Sequence, residues 1–277
     1  MSIMVEKSEG LDMKEFLGIG GYQRTPEGFL SWQHLTFVTS LMIIMVALAW
    51  WLGKKNRHSD TAVKNKVLIW SAWLIFSIDM FEIVFICFRD NDPWGWLYNL
   101  PLFLCSMQMF AIPIAAFCKG KLRDAALDFV FIFGILGAVL GTYGAGQNYN
   151  CYPVISFNNV VSGLTHSIAG FCSLYIVISG MASMKRSNFL WCVGVLLALC
   201  AVAYGVNHLV DYNYMFLMRG DGTPYDILYN LVGGSPVWYP LGVVGLFLIY
   251  IIAFYQIYYA IACRKAKKAQ AEQLVNP

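Results

Sequence analysis

Seven stretches of about 20 apolar residues, the length a helix needs to cross roughly 30 Å of hydrocarbon, dominate this chain. They run over 29–53, 67–88, 99–118, 125–143, 160–181, 188–210 and 240–262, each bounded by charged residues, glycines or prolines. Lipid offers no partner to an exposed peptide group, so runs of this length and composition are expected to be helices. The expected fold is all-α: a polytopic membrane protein with seven transmembrane helices, multi-pass in the cell membrane. No soluble domain fits between the runs. Residues 1–28 form an expected extracytoplasmic segment, 29–262 the membrane domain and 263–277 a cytoplasmic tail. Because residues 1–28 open with acidic and mixed polar sequence instead of a basic stretch, the first run is expected to stay as an anchor and not be cleaved as a signal.

Lys and Arg near helix ends remain on the cytoplasmic side, and here they are sorted. The connections after the first, third and fifth runs and the tail after the seventh hold 14 of the 19 basic residues, including Lys54, Lys55, Arg57, Lys119, Lys121, Arg123, Lys185, Arg186 and Arg264. Lys7, Lys14, Arg24, Arg89 and Arg219 fall on the other side. The N-terminus is therefore expected outside and the C-terminus in the cytoplasm.

A net charge of +3 with no basic stripe among aromatics excludes a nucleic-acid partner. Of eight cysteines, only Cys151 lies in an outward loop, so no disulfide framework is expected, a Cys87–Cys151 bridge being the one compatible pairing. With no CxxC or HExxH spacing, neither a metal nor any other cofactor is expected.

Ionisable groups inside a span cost about 2.5–3.5 kcal/mol each at a helix centre on insertion scales, so the few that occur carry information. Counted from the outer ends, His34, Glu82, Cys105 and His166 all lie five or six residues in, with Asp79 one turn deeper, which at 1.5 Å per residue is about 8–9 Å below the boundary. Gln108 shares a face with Cys105. His166 belongs to a stripe of Asn159, Ser162, His166, Gly170 and Ser173, and the sixth run ends with Tyr204, Asn207, His208 and Asp211 on one face. Five runs thus bring a polar group to one level. Snorkelling to the headgroups accounts for His34 and Asp211 equally well, and a buried cysteine by itself packs as a small hydrophobe. Company at the same depth is what singles out Cys105, since a neighbouring imidazole can take its proton. The outward segments 143–159 and 211–239 are aromatic and rich in Gly and Pro, suited to loops or a lid at the interface.

Three segments, LPLFLCSMQM (100–109), LTHSIAG (164–170) and VNHLVDYNYMFLMRGDGTP continuing to GGSPVWYPLG (206–242), resemble the YwaF-like integral membrane proteins of bacteria, whose animal relatives are multi-span acyltransferases that remodel ether phospholipids. The likeness covers the third to the seventh run. It implies a membrane-embedded site in which Cys105 accepts an acyl chain and His166 serves as its base. Phe103 departs from the pattern, standing where that family has a polar residue.

The reading that joins residues and resemblance is a membrane-embedded acyltransferase, or lipid hydrolase, acting on phospholipid acyl chains from the outer leaflet. Its expected catalytic residues are Cys105, His166 and His208; His34, Glu82, Gln108, Asn207, Asn213 and Trp238 are expected to contact the substrate. His208, Asn207 and Gln108 are all candidates to stabilise an oxyanion. Membrane phospholipids are the expected partners. A different class, a proton-coupled or polar-solute transporter using Asp79, Glu82 and the histidines, fits the intramembrane charges, but its polar layer stays near one face and the two halves show no inverted repeat. A retinal receptor is disfavoured because the last run carries no lysine.

Overall fold

The computed structural model describes residues 12–182 and 184–275, with side chains to residue 264. Lys7 and the rest of the first eleven residues, and the side chains of Lys265, Lys267 and Lys268, lie outside it. A short α1 (Met13–Leu17) precedes α2 (Trp32–Asn56) and α3 (Thr61–Arg89); a 3-10 turn at Gly95–Tyr98 leads to α4 (Gln108–Phe117) and α5 (Gly120–Leu140). Then come α6 (Gly146–Cys151), α7 (Phe157–Ile178), α8 (Arg186–Val210), a 3-10 turn at Tyr214–Phe216, α9 (Tyr225–Leu231) and α10 (Trp238–Val275). No strand occurs among the described residues.

Among the described residues, five helices are long and apolar enough to cross a membrane: α2, α3, α7, α8 and the Trp238–Arg264 part of α10. The expected third and fourth crossings take other forms. The run 99–118 forms only the 10-residue α4, because Pro101 and the tight turn after it hold residues 99–107 out of a helix. The run 125–143 belongs to α5, which is 21 residues long but begins with Lys121, Arg123 and Asp124 and carries Asp128. Hydropathy reads apolar side chains whatever the backbone beneath them does, so it merged a turn and a half-length helix into one span.

α5 is the central helix, buried along Ala125–Gly134 and packed against α4, α7 and α8. Its contact with α7 uses small residues: a methyl group on Gly134 would strike the Ala169 carbonyl and Ser173, and one on Gly170 would strike Ala138 and Met45. Close helix approach through small side chains is how membrane helices gain packing where hydrophobic burial gives little. Large apolar side chains such as Trp70, Trp73, Phe81 and Phe88 are exposed on α3 instead, as lipid-facing surface.

Two ends of the bundle can be told apart. At one, Asn56 of α2 donates to the Tyr175 hydroxyl, which itself reaches the Lys64 carbonyl, and Asn65 reaches the Ala116 carbonyl. Nearby, Asp128 accepts from the Met184 amide, Asn188 and Tyr255, tying α5 to α8 and α10. At the other end, the start of α2 meets the end of α5, and Arg89 at the end of α3 donates to Asn158 at the start of α7. The candidate site lies between α3, α4 and α7, toward this second end. Cys87 and Cys151 are both free thiols.

Candidate active site

Cys105 sits in the turn that leads into α4. The Phe103 carbonyl accepts from the Met107 amide and the Cys105 carbonyl from Gln108, so the chain coils into the helix just past the thiol. This turn is held from a distance. The buried Tyr214 hydroxyl donates to the Leu97 carbonyl at 2.5 Å and accepts from the Leu100 amide at 3.0 Å. Asn207 in turn grips the backbone of Tyr214, accepting from its amide at 2.7 Å and donating to its carbonyl at 3.0 Å. Phe103 packs its ring against Tyr212, Tyr214 and Phe216, so the residue that departs from the YwaF-like pattern points into this aromatic cluster.

His166 projects from α7 into the cavity that Cys105 lines, and Gly137 of α5 lies against both side chains. The His166 Nδ1 lies 2.7 Å from the Ser162 carbonyl oxygen, one turn back. A carbonyl only accepts, so Nδ1 carries the proton and the lone pair is left on Nε2 for the thiol. Glycines on and just after α5 leave room for this arrangement. Gly137 lies against Cys105 and Gly141 against the His166 ring, so closely that a methyl group at Gly141 would overlap imidazole atoms Cδ2 and Nε2.

Ile75, Asp79, Cys105, Ser106, Gln108, Thr165 and His166 line a cavity of about 30 Å³, room for a water molecule. Gln108 is 1% exposed, and neither its amide nitrogen nor its amide oxygen has a hydrogen-bond partner. A buried amide left unpaired costs about 1–3 kcal/mol. Asp79 lines the cavity together with His166, and Glu82 lies one turn along the same face of α3.

Of the residues singled out from sequence, Cys105, His166 and Gln108 are brought together, with Glu82 close by. The others are not. His34 is fully buried, its Nδ1 accepting from the Leu30 amide at 3.1 Å and its Nε2 donating to the Thr142 carbonyl at 3.1 Å, with Tyr149 stacked on it. His208 is exposed on α8, edge-on to Tyr204, away from the cavity. Asn207 spends its amide on Tyr214. Asn213 spends its own on a loop, donating to the Arg219 carbonyl and Asp221 and accepting from the Met218 amide. Trp238 is 67% exposed at the start of α10. Depth along a helix axis, which is what spacing supplies, says nothing about which helix faces meet; α8 packs on α5, and neither Asn207 nor His208 lines the cavity. Conversely, Asp79 belongs at the site although sequence placed it only in the polar layer, and Gly137 and Gly141 were missed because a glycine in an apolar run carries no chemistry of its own.

A comparison with curated proteins and one with solved structures give no match. A model of the TMEM164 family matches residues 29–258, which takes in α2 through most of α10 and every residue lining the cavity. A multi-span membrane chain matched over that extent is a member: the protein belongs to the TMEM164 family.

Proposed function

We propose that the protein is a membrane-embedded acyltransferase that moves phospholipid acyl chains through a thioester on Cys105. One observation carries the reading: a thiol and an imidazole line one cavity, the imidazole oriented by the Ser162 carbonyl, with the buried, unpartnered Gln108 side chain in the same lining. The YwaF-like resemblance and its ether-phospholipid acyltransferases point the same way.

In this reading His166 Nε2 takes the thiol proton as sulfur attacks the ester carbonyl carbon. A carbon–sulfur bond forms and the carbonyl oxygen becomes an oxyanion. Gln108 is the donor for that oxygen, chosen over Asn207 and His208 because its amide nitrogen is free and lines the cavity. The start of α4 beside Cys105 adds the positive end of a helix dipole where negative charge develops. Collapse breaks the ester carbon–oxygen bond, and the departing glycerol oxygen takes the proton back from His166. A lysophospholipid leaves and acyl-Cys105 remains. A second lipid hydroxyl, deprotonated by His166, then attacks the thioester and regenerates the thiol; water in that place makes the enzyme a hydrolase. Asp79 stabilises the imidazolium formed in each half.

The bundle is proposed to make seven crossings in the cell membrane, with the turn and α4 as the third and α5 as the fourth. The N-terminus is outside, as the sorted Lys and Arg require, and the site lies beneath the outer headgroups. Incubation with a phospholipid carrying a labelled acyl chain, followed by mass measurement of the intact protein, tests the reading. An acyl adduct on Cys105 is expected, lost in Cys105→Ala and in His166→Ala; full turnover in Cys105→Ala ends the proposal. Products formed with and without a lysophospholipid acceptor separate transfer from hydrolysis.

A further inference from the structure

The side chains around the cavity at Cys105 can be sorted by what they still offer a ligand. Thr165 and His166 are adjacent on α7, and both spend a proton on one acceptor: the Thr165 hydroxyl donates to the Ser162 carbonyl at 3.1 Å, and His166 Nδ1 lies 2.7 Å from the same oxygen. With those protons committed, Thr165 Oγ1 has only lone pairs left to offer, and His166 Nε2 is an acceptor as well. Gln108, 1% exposed, adds an unpartnered amide oxygen and an unpartnered amide nitrogen, and Asp79 adds the oxygens of its carboxyl group. Acceptors predominate, the more so once acylation removes the Cys105 S–H.

Such a lining discriminates between the two kinds of acceptor molecule that could discharge an acyl-enzyme. A water needs about 10–15 Å³ of cavity and two to four polar partners; this cavity has about 30 Å³ and polar groups from α3, α4 and α7. Water brings two protons, one for His166 Nε2 and one for a second acceptor, while its oxygen keeps a lone pair for attack. A lipid hydroxyl brings one. Given to His166, that proton leaves the second acceptor without a donor, and a buried group left so is costly.

We propose that this cavity binds a water molecule, held by Thr165 and placed to attack acyl-Cys105, so that the thioester is hydrolysed whenever no lipid hydroxyl displaces the water. This deepens the acyltransferase reading and rests on it for the thioester. In the added step the water oxygen attacks the thioester carbonyl carbon as one of its protons passes to His166 Nε2. A carbon–oxygen bond forms and the carbonyl oxygen becomes an oxyanion. Collapse breaks the carbon–sulfur bond, sulfur takes the proton back from His166, and a fatty acid leaves. Thr165 accepts the other water proton throughout, which makes it a positioning residue for the nucleophile.

The full chain in detergent is acetylated with p-nitrophenyl acetate, a small ester that needs no lipid recognition. The reagent is then removed, and acetyl-Cys105 is followed by intact mass and peptide mapping with no alcohol acceptor present. The parent is expected to lose the acetyl group at least about tenfold faster than the same thioester in the chain denatured in dodecyl sulfate. Thr165→Val keeps the shape and removes the lone pairs; it is expected to slow this loss about tenfold more than it slows acetylation, the rate effect of roughly one hydrogen bond. Thr165→Ser keeps the hydroxyl and is expected to decay as the parent does. Acetyl-Cys105 that persists in the folded parent overturns this proposal and leaves the acyltransferase reading standing, as does a decay that Thr165→Val leaves unchanged or that Thr165→Ser slows equally. No adduct on Cys105 from either p-nitrophenyl acetate or a labelled phospholipid sinks the acyltransferase reading and this proposal together, as does acid release that continues in Cys105→Ala.

Discussion

Gly141 presents a bare Cα to the His166 imidazole, and a methyl group there would occupy the space of ring atoms Cδ2 and Nε2. The backbone at Gly141 is right-handed helical, with φ −76° and ψ −6°. Alanine therefore meets no backbone strain; taken alone, the change would stabilise the fold by about 0.4–1 kcal/mol through the unfolded chain. The contact with His166 reverses that sign, since overpacking costs about 1–3 kcal/mol unless the ring swings away. Gly141→Ala is expected to leave the fold intact and cut acyl-Cys105 formation by about 100-fold, the effect of displacing a catalytic group by about 1 Å. Unchanged thioester formation would show that His166 is not held where Gly141 lets it stand.

Gln108 separates stability from activity. A buried amide with no partner destabilises the resting protein, so replacing it with an apolar side chain of similar length removes a cost. Gln108→Leu is expected to raise stability by about 1 kcal/mol and to lower the acyl-transfer rate by about 10²–10³ if its amide serves the oxyanion. Thermal melts and initial rates on the same preparation check both. Loss of stability without loss of rate would place the amide in packing alone.

How much of this arrangement sequence could disclose depends on what a pattern encodes. Helical periodicity and hydropathy encode position along an axis, and of the residues they placed at one level Cys105, Gln108 and His166 line one cavity. They carry nothing about rotation between helices. His34, Asn207 and His208 do not line that cavity, and the polar character that drew attention to His34 and Asn207 is spent on the backbone of Thr142 and Tyr214. Residues whose contribution is the absence of a side chain, Gly137 and Gly141, leave no signal without the partner they accommodate. The short α4 was hidden for a related reason: the apolar run is real, and the turn inside it is made by Pro101 and by hydrogen bonds from Tyr214, more than a hundred residues away.

That long tether makes Tyr214 a positioning residue. Its hydroxyl makes two hydrogen bonds to the backbone of residues 97–100, and nothing in it touches the cavity. Tyr214→Phe keeps the ring packing against Phe103 and removes only those bonds, leaving a buried carbonyl and amide unpaired. A loss of about 1–3 kcal/mol of stability is expected, with the rate of Cys105 alkylation by a small iodoacetamide falling in Tyr214→Phe but restored toward the parent value on cooling. An alkylation rate that tracks the parent at every temperature would show that the turn holds itself.

His34 supplies the sharpest contrast with the catalytic histidine, because both of its ring nitrogens are already committed. Nδ1 accepts from Leu30, whose backbone stands at φ +60°, a conformation that costs a side-chain-bearing residue about 1–3 kcal/mol unless its surroundings enforce it. Nε2 donates to Thr142, the residue after Gly141, so the ring clips the start of α2 to the end of α5. His34→Ala is expected to lower stability by about 2–4 kcal/mol, through the two lost hydrogen bonds and the cavity opened beside Tyr149. Acyl-Cys105 formation at low temperature is expected to fall less than tenfold, against the near-complete loss in His166→Ala. Melting curves and adduct yields for the two variants side by side decide the matter: a His34→Ala protein as stable as its parent but inactive would move His34 from the scaffold to the substrate.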